Sequence, residues 1–428
     1  MEKRNIEGLH ETIYEEILDN GLKVVLLPKP DMAKTFSIFQ TKYGSNDLSF
    51  VPIDQNDKVT VPEGIAHFLE HKLFEKEDRD VFQDFTKQGA SANAFTSFNK
   101  TAYLFSATTN IDENINTLLD FVQDPYFSDQ SVEKEKGIIG QEIKMYDDQP
   151  DWRAFFGIIQ TMYKEHPVRI DIAGTVDSID KITKEDLYTC YYTFYHPSNM
   201  IFFATGPFDP EKMMKLIKDN QSNKTFEKQE EVQRFLPDEP DPVFKKENTI
   251  QMPVSIEKVM VGIKEKKSRL NKDNWLKNEQ MLSMILDHYF SKSGDYYQKL
   301  YDEQLIDGSF HFETMLDLDY GFSLLGGNSE NPEELANRIK EMLFELKNGK
   351  FSDEEFTRMK RKRIGHLLRS MNSLEFISQQ YIQYEQLGFD FFEVLPTIES
   401  LQKQEVEDFL SEWIDENQMA VSYVKAKG

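Results

Sequence analysis

The chain has 428 residues, more than a single hydrophobic core usually holds, so we expect at least two domains. Hydrophobic residues make up 39% of the chain and aromatic residues 13%, which excludes a mainly disordered protein. The 75 acidic residues outnumber the 50 basic ones, giving a net charge of −25. Because that charge would repel phosphate, a general nucleic-acid binder is excluded.

Signals for disulfides and for membrane targeting are missing from the sequence. The single cysteine, Cys190, excludes a disulfide framework and a thiolate metal site, and we expect it to be a small buried residue. Residues 1–20 are charged and polar and lack the apolar core of a signal peptide. No apolar run approaches the roughly 18 residues that cross a bilayer. We therefore expect a soluble, cytoplasmic protein without membrane contact.

Hydrophobic patterns in the first half predict strands and helices in irregular order. Runs of β-branched and aromatic residues predict strands at 22–28, 36–43 and 199–206. Amphipathic periodicity predicts helices at 60–74, 111–122, 130–147, 150–164, 183–195 and 210–219. Thr60 and Glu63 have the spacing of a capping box, so the first helix is expected to start there. The order favours an α+β fold, with helices packed on one face of a mostly antiparallel sheet.

The middle of the chain has the composition of a linker. It is dense in charged residues, Gln and Asn, and it contains three prolines, at 237, 240 and 242. The sequence therefore predicts an N-terminal domain at 1–222, a linker at 223–248 and a C-terminal domain at 249–428.

Short motifs of the first half recur in the second half at one spacing. Leu69-Glu70-His71 is matched by Leu286-Asp287-His288, and Phe105-Ser106 is matched by Phe322-Ser323, each 217 residues later. Two matches at the same spacing, without an insertion or deletion, indicate a duplication. We therefore expect two similar domains.

The motif His67-Phe68-Leu69-Glu70-His71 carries the clearest chemical signal. On a helix His67 and His71 lie one turn apart on one face, so both imidazoles can bind one metal ion. Glu70 shares that face and can reach a water molecule as a general base. This spacing is the inverted zinc-helix motif. The alternative is a pair of surface histidines with a salt-bridging glutamate.

A catalytic zinc site needs a third protein ligand, and the helix predicted at 130–147 offers two glutamates. Glu135 and Glu142 are seven residues apart, so they share a face but lie about 10 Å apart along the helix axis. Both cannot bind one ion on a regular helix. The natural division places Glu142 on the metal and Glu135 behind it, orienting a histidine or a water. The alternative for both is solvent exposure with pairing to nearby lysines.

These residues resemble the pattern of the pitrilysin/insulinase-type zinc peptidases, the family that includes the mitochondrial processing peptidase. Its members carry His-x-x-Glu-His and, some seventy residues later, a helix with two glutamates seven residues apart. The resemblance implies one zinc ion per chain held by His67, His71 and Glu142, with Glu70 as the base and Glu135 beside the ligands. It also implies two domains that form a clam-shell around a chamber.

Further segments extend the resemblance over most of the chain. Residues 89–96 resemble the family's edge strand, which implies that Asn93, Ala94 and Phe95 bind the substrate backbone by β-augmentation. Without the family resemblance, the same residues would be interpreted as a turn before a strand. The expected activity is hydrolysis of short or unfolded peptides by a zinc endopeptidase.

The second half departs from the pattern of an active domain. Met284 and Met359 stand where the first half has His67 and Glu142, so this half is not expected to bind zinc, although His288 matches His71. Active relatives supply an arginine and a tyrosine from this half, but Tyr301 and Asp307 occupy those positions here.

We therefore expect the chain to be the zinc-bearing subunit of a heterodimer, whose homologous partner supplies the Arg/Tyr pair. Three alternatives stay open. Arg358 or Arg361 could substitute for the missing arginine. The chain could be a non-catalytic peptide-binding or scaffold subunit, or it could be a maturation protease dedicated to one peptide precursor.

Overall fold

The computed structural model describes residues 1–53 and 55–427. The strands are β1 (Glu2–Ile6), β2 (Glu11–Ile17), β3 (Lys23–Pro28), β4 (Thr35–Thr41), β5 (Ser49–Phe50), β6 (Val59–Thr60), β7 (Ala90–Thr96), β8 (Thr101–Ala107), β9 (Met200–Gly206), β10 (Glu247–Met252), β11 (Glu257–Lys264), β12 (His311–Leu316), β13 (Gly321–Ser329) and β14 (Met419–Ala426). The helices are α1 (Ile65–Phe74), α2 (Val81–Lys87), α3 (Ile111–Val122), α4 (Asp129–Asp147), α5 (Pro150–Met162), α6 (Val176–Ile179), α7 (Lys184–Phe194), α8 (Pro210–Ser222), α9 (Trp275–Phe290), α10 (Asp295–Asp302), α11 (Pro332–Lys347), α12 (Asp353–Ser370), α13 (Leu374–Leu387), α14 (Val394–Ser400) and α15 (Lys403–Trp413). Single 3-10 turns lie at Pro167–Arg169, Pro197–Asn199, Lys267–Arg269, Phe391–Glu393 and Glu416–Gln418.

The chain forms two compact units, and each contains one large sheet. The first unit comprises residues 1–143, 170–236 and 371–386. Its seven-stranded sheet has the order β1-β2-β3-β9-β4-β8-β7, in which β3 and β9 are parallel and all other neighbours are antiparallel. The strand β7 therefore lies at one edge of the sheet, a position that matters for the site described below.

The second unit repeats this topology. It comprises residues 144–169, 237–370 and 387–428. Its five-stranded sheet has the order β10-β14-β11-β13-β12, with one parallel pair followed by antiparallel pairs. The first sheet shows the same sequence of pairings in β3-β9-β4-β8-β7. The prediction of two similar domains with mostly antiparallel sheets is confirmed.

Each sheet is covered on both faces, and one cover comes from the other half of the chain. In the first unit α1, α3, α4 and α7 contribute to the core on one face. On the sheet, β4 and β9 are buried at every position, which requires a second cover. Helix α13 supplies contacts from the C-terminal half, since the ring of Tyr381 lies 5.1 Å from that of Phe203.

In the second unit, helix α5 from the N-terminal half packs on the sheet. A Cβ atom at Gly262 of β11 would lie 2.7 Å from the sulfur of Met162, so a glycine is needed where this helix approaches the strand. The compact units therefore differ from the continuous ranges 1–222 and 249–428. Residues 144–169, with α5, and residues 371–386, with most of α13, belong with the opposite half of the sequence, and the predicted linker is divided between the units after residue 236. Local sequence patterns give helix and strand type but not this long-range choice of partner.

The predicted elements of the first half agree with the structure, except at one helix start. Thr60 lies in β6, paired with Ser49, and does not cap a helix. Helix α1 begins at Ile65 after Gly64, whose backbone has a φ of +87°. A Cβ at Gly64 would lie 2.4 Å from the carbonyl oxygen of Ala173, so only glycine fits this turn. The capping-box prediction at Thr60 was wrong because strand pairing took those residues.

Among the described residues no helix is both long and apolar enough to pass through a bilayer. Cys190 is buried as predicted, and burial raises the pKa of its thiol to about 12. The cytoplasmic location stays a prediction.

The predicted linker is anchored to the second unit at its C-terminal end. The carboxylate of Glu239 is buried and accepts hydrogen bonds from the backbone N–H groups of residues 164, 165 and 166. It also accepts one from the buried ammonium group of Lys264, at 2.6 Å. A buried, fully partnered ion pair of this kind is costly to break from one side. The C-terminal end of the predicted linker thus packs as part of the second unit.

We predict that Glu239→Ala lowers the free energy of unfolding of the second unit by about 3–5 kcal/mol, because it leaves a buried ammonium group and three N–H donors without their partner. The 3 tryptophans of the chain (residues 152, 275 and 413) all lie in this unit, so tryptophan fluorescence during urea unfolding follows it selectively. The control is Asp238→Ala, which removes an ion pair between exposed side chains of Asp238 and Lys267 and should cost under about 1 kcal/mol. Equal unfolding midpoints for the two variants would contradict this assignment.

Candidate metal centre

Helix α1 presents both histidines of the motif on one face. The rings of His67 and His71 lie 4.6 Å apart between centroids, as expected for side chains one helical turn apart. The opposite face of α1 is tied into the core of the first unit by Ile65, Phe68 and Leu69. The positions of the two imidazoles are therefore fixed by the packing of the helix.

Helix α4 brings a carboxylate to both rings. One oxygen of Glu142 lies 3.7 Å from Nε2 of His67, and the other lies 3.6 Å from Nε2 of His71. Core contacts of Ile139 and Ile143 hold α4 on the same core as α1. The structure thus brings His67, His71 and Glu142 together from two helices.

These three residues fit a zinc ion. Their ligand atoms, two imidazole nitrogens and a carboxylate oxygen, all lie within 4.8 Å of one another. Bonds of about 2.0–2.2 Å in a tetrahedron place neighbouring ligand atoms about 3.4 Å apart, close to the separations found between Glu142 and each ring. Three protein ligands leave one position for water, as in catalytic zinc sites. Within the described residues, no other group of three His, Cys, Asp or Glu side chains meets this condition.

Glu135 lies behind the candidate ligands. Its carboxylate is 3.0 Å from Nδ1 of His71, so the ring can donate to it and present a free Nε2 towards Glu142. The imidazole of His71 thus lies between the two glutamates that the sequence places two turns apart on one helix. Glu135 approaches its Nδ1, and Glu142 approaches its Nε2. The geometry agrees with the predicted division between these glutamates, whose roles stay predictions.

The electrostatics of the site suit a cation. Burial, and then the neighbouring His71, lower the pKa of His67 to about 3, so its imidazole is neutral, as a metal ligand must be. Burial alone would lower the pKa of His71, but its hydrogen bond to Glu135 and the carboxylate of Glu70 outweigh that effect and raise it. The carboxylates of Glu70, Glu135 and Glu142 therefore surround the two rings with negative charge, which a divalent cation would neutralise.

Glu70 lies on the same face of α1 but outside the group of three. Its side chain is largely buried, and burial raises the pKa of its carboxyl group, although a hydrogen bond from Thr96 opposes that effect. The hydroxyl of Thr96 is 2.7 Å from Oε2 of Glu70. The contact of Thr96 with Glu70 is not predictable from the sequence, because nothing in a strand pattern shows which helix the strand will meet.

The predicted peptide-binding residues lie on the edge strand β7. Asn93 is exposed, while Ala94 and Phe95 are partly buried. The side-chain oxygen of Asn93 accepts a hydrogen bond from the backbone N–H of Ala94 at 2.9 Å. That N–H is therefore satisfied locally on a strand that has β8 on one side and no second neighbour among the described residues.

The second unit lacks a comparable site within the described residues. Met284 and Met359 are buried, so apolar side chains occupy the positions that match His67 and Glu142. Nε2 of His288 instead lies 3.2 Å from Oε1 of Glu355, a contact that the sequence does not predict because Glu355 belongs to neither repeated motif. Tyr301, at the position where the family resemblance leads one to expect an arginine, is 55% exposed. The carboxylate of Asp307 accepts hydrogen bonds from the N–H of Ser309 and from the side chain of Asn328.

Comparison with known proteins identifies the family. Residues 59–176 match the model of insulinase (peptidase family M16), and residues 181–363 match that of the peptidase M16 inactive domain. The chain is 49% identical over 423 residues to the uncharacterized zinc protease YmfH of Bacillus subtilis, covering 98% of each protein. The chain belongs to the M16 family of peptidases, and the prediction of a metallopeptidase is confirmed.

A solved structure and a more distant relative support the same family assignment. The crystal structure of a putative M16-like peptidase from Alicyclobacillus acidocaldarius is 37% identical, with a TM-score of 0.93, over 99% of this chain and 100% of that one. A probable mitochondrial-processing peptidase subunit beta from Arabidopsis thaliana is 28% identical over 160 residues, 36% of this chain and 30% of the relative. The predicted resemblance to this family is confirmed.

We predict that Glu142→Gln loses most of the bound zinc, because it removes a ligand charge, whereas Glu135→Gln weakens zinc affinity only about ten- to a hundredfold. Zinc per chain is measured by mass spectrometry of the metal after dialysis against a chelator of known affinity. Glu133→Gln is the matched control, since Glu133 lies on the same helix with its side chain 70% exposed and should leave zinc unchanged. If Glu135→Gln strips the zinc and Glu142→Gln retains it, the two roles are reversed.

Proposed function

We propose that this chain is a zinc-dependent endopeptidase that hydrolyses short or unfolded peptides, with one zinc ion held by His67, His71 and Glu142. The observation that carries the proposal is the convergence of two Nε2 atoms and one carboxylate from two separate helices. Membership of the M16 family and the name zinc protease of the Bacillus subtilis relative support it.

When bound, zinc would polarise the scissile carbonyl group and make an attacking water more acidic. Glu70 takes the proton from that water as it attacks, and then delivers it to the leaving amine. Its place three residues after His67 puts its carboxylate on the ligand face of α1 without making it a ligand. Burial of the Glu70 side chain leaves little competing solvent around it. His71 is kept in one orientation by Glu135.

Strand β7 provides the docking edge for the substrate backbone. An extended peptide would add to the sheet beside β7, along Asn93, Ala94 and Phe95, through main-chain hydrogen bonds. The N–H of Ala94 becomes available to the peptide once the side chain of Asn93 releases it. Because main-chain bonds read no side chains, little sequence selectivity is expected, and an extended conformation is the main requirement for a substrate.

The proposal predicts separate effects for ligand and base. His67→Ala or His71→Ala should lose most of the zinc, because two protein ligands remain. Glu70→Gln should keep the zinc and lose about 10²–10⁴-fold in rate, the usual contribution of a general base. The readouts are zinc per chain and cleavage of a quenched fluorescent peptide, with the homologous partner subunit present where activity requires it. Cleavage by Glu70→Gln at the wild-type rate would overturn the mechanism.

We further propose that the chain acts as the zinc-bearing subunit of a heterodimer. The Arg/Tyr pair that the family resemblance leads one to expect from the second half is replaced here by Tyr301 and Asp307. Neither Tyr301 nor Asp307 offers a positive charge to stabilise a developing oxyanion, so we propose that another chain supplies the cationic donor. The Arabidopsis relative is itself named as a subunit of the mitochondrial-processing peptidase. The expected partner is a homologue with a broken zinc motif and an intact Arg/Tyr pair.

Peptidase activity should therefore rise when such a homologue is titrated into a fixed concentration of this chain, and the isolated chain should be nearly inactive at every concentration. A partner whose arginine is replaced by alanine is the control, because it can assemble without supplying the missing charge. Arg358→Ala and Arg361→Ala test the alternative that this chain provides its own arginine. Full activity of the isolated chain, unchanged by the partner, would contradict the heterodimer.

A further inference from the structure

The side chain of Thr96 lies on the helix-facing side of strand β7. Successive side chains of a strand point to opposite faces, so residues 90, 92, 94 and 96 share one face. Ala90, Ala92 and Ala94 pack against the core that contains α1. Thr96 thus continues a row of small residues that ends beside α1, and it is the member of that row with a hydrogen-bonding side chain.

The hydroxyl of Thr96 has one proton, and its surroundings direct that proton to Glu70. An ionised carboxylate can only accept, and Oε2 of Glu70 lies 2.7 Å from the Thr96 hydroxyl oxygen. The other nearby hydroxyl, that of Thr101, is 3.4 Å away and donates its own proton to the carbonyl oxygen of Tyr43 at 2.9 Å. Thr101 therefore does not compete for the carboxylate, and the donor to Oε2 is Thr96.

This hydrogen bond leaves the two oxygens of Glu70 in different environments. Oε2 accepts the hydrogen bond from Thr96, whereas Oε1 has no hydrogen-bond partner among the described residues. A glutamate side chain has three rotatable bonds, and a general base works only when the correct oxygen is held at the attacking water. Fixing one oxygen orients the other. A charge-assisted bond to a rigid strand is suited to that task.

We propose that Thr96 is a positioning residue for the peptidase reaction: its hydroxyl group holds Oε2 of Glu70 so that Oε1 faces the attacking water. This inference rests on the proposed function, because it assigns a role through Glu70 as the base. Thr96 does not touch the substrate or the metal in this role. Its contribution should therefore appear in the rate of the chemical step and not in the binding of substrate or zinc.

The test compares Thr96→Val with Thr96→Ser in the holoenzyme, with the partner subunit present where activity requires it. Valine keeps the β-branched shape that suits the strand but lacks the hydroxyl, whereas serine keeps the hydroxyl. We expect Thr96→Val to lower kcat about 10- to 100-fold, equivalent to about 1.4–2.7 kcal/mol. KM and zinc per chain should stay at the wild-type values, and Thr96→Ser should retain most of kcat.

A second readout does not depend on catalysis. In metal-free protein labelled with carboxyl-13C glutamate, the Glu70 signal is assigned by its loss in Glu70→Gln. That signal should shift in Thr96→Val and stay near its wild-type position in Thr96→Ser. Thr86→Val is the matched control, because Thr86 donates to the carbonyl oxygen of Phe82 on helix α2 and lies outside the site. It should change neither the signal nor kcat.

The outcomes separate this inference from the proposed function. If Glu70→Gln is inactive with zinc retained but Thr96→Val has the wild-type kcat, Glu70 is the base and the role of Thr96 is refuted. If Glu70→Gln remains fully active, the proposed function itself fails. Two outcomes would show that Thr96 acts only through folding. One is a Thr96→Ser variant as slow as Thr96→Val, and the other is a loss of zinc that parallels the loss of rate.

Discussion

The candidate metal centre depends on the meeting of two helices at one imidazole. His71 of α1 points Nδ1 at Glu135 and Nε2 at Glu142, both on α4, whose two glutamates are separated by two helical turns. This single ring therefore contacts α4 at two side chains, one through each of its nitrogens. Because α1 and α4 also share one hydrophobic core, the arrangement is held by packing.

The second unit shows that the fold does not require this contact. Its sheet has the same order of pairings, but buried methionines replace the matching histidine and glutamate. The core gains apolar volume at those positions, while His288 keeps a contact with a carboxylate, that of Glu355. In this chain the candidate metal ligands are thus an addition to the scaffold, made by a few side chains on helices whose packing does not depend on them.

The sequence was most informative where function depends on local spacing. The intervals within His67-Phe68-Leu69-Glu70-His71 and between Glu135 and Glu142 are properties of a single helix, so helical geometry alone predicts which side chains share a face. The start of α1 at Ile65 was not predictable in this way, since pairing of β6 with β5 took Thr60 out of the helix. The exchange of α5 and α13 between the halves was not visible either. Both helices have ordinary amphipathic patterns, and only the three-dimensional structure shows which sheet each one covers.

In the proposed reaction strand β7 has two roles, one for its main chain and one for its side chains. Its outer edge has no neighbouring strand among the described residues, so an extended peptide could join it, and the side chain of Asn93 accepts a hydrogen bond from the N–H of Ala94 there. Its inward side chains reach the helices, where Thr96 meets Glu70. Because one short strand contacts both the proposed base and the proposed substrate backbone, the distance between them is set by covalent geometry along a few residues. A peptide that pairs with this edge is thereby placed relative to the base without any contact to its side chains. In the proposed reaction, main-chain pairing would therefore position the scissile bond even though it reads no side chains of the substrate.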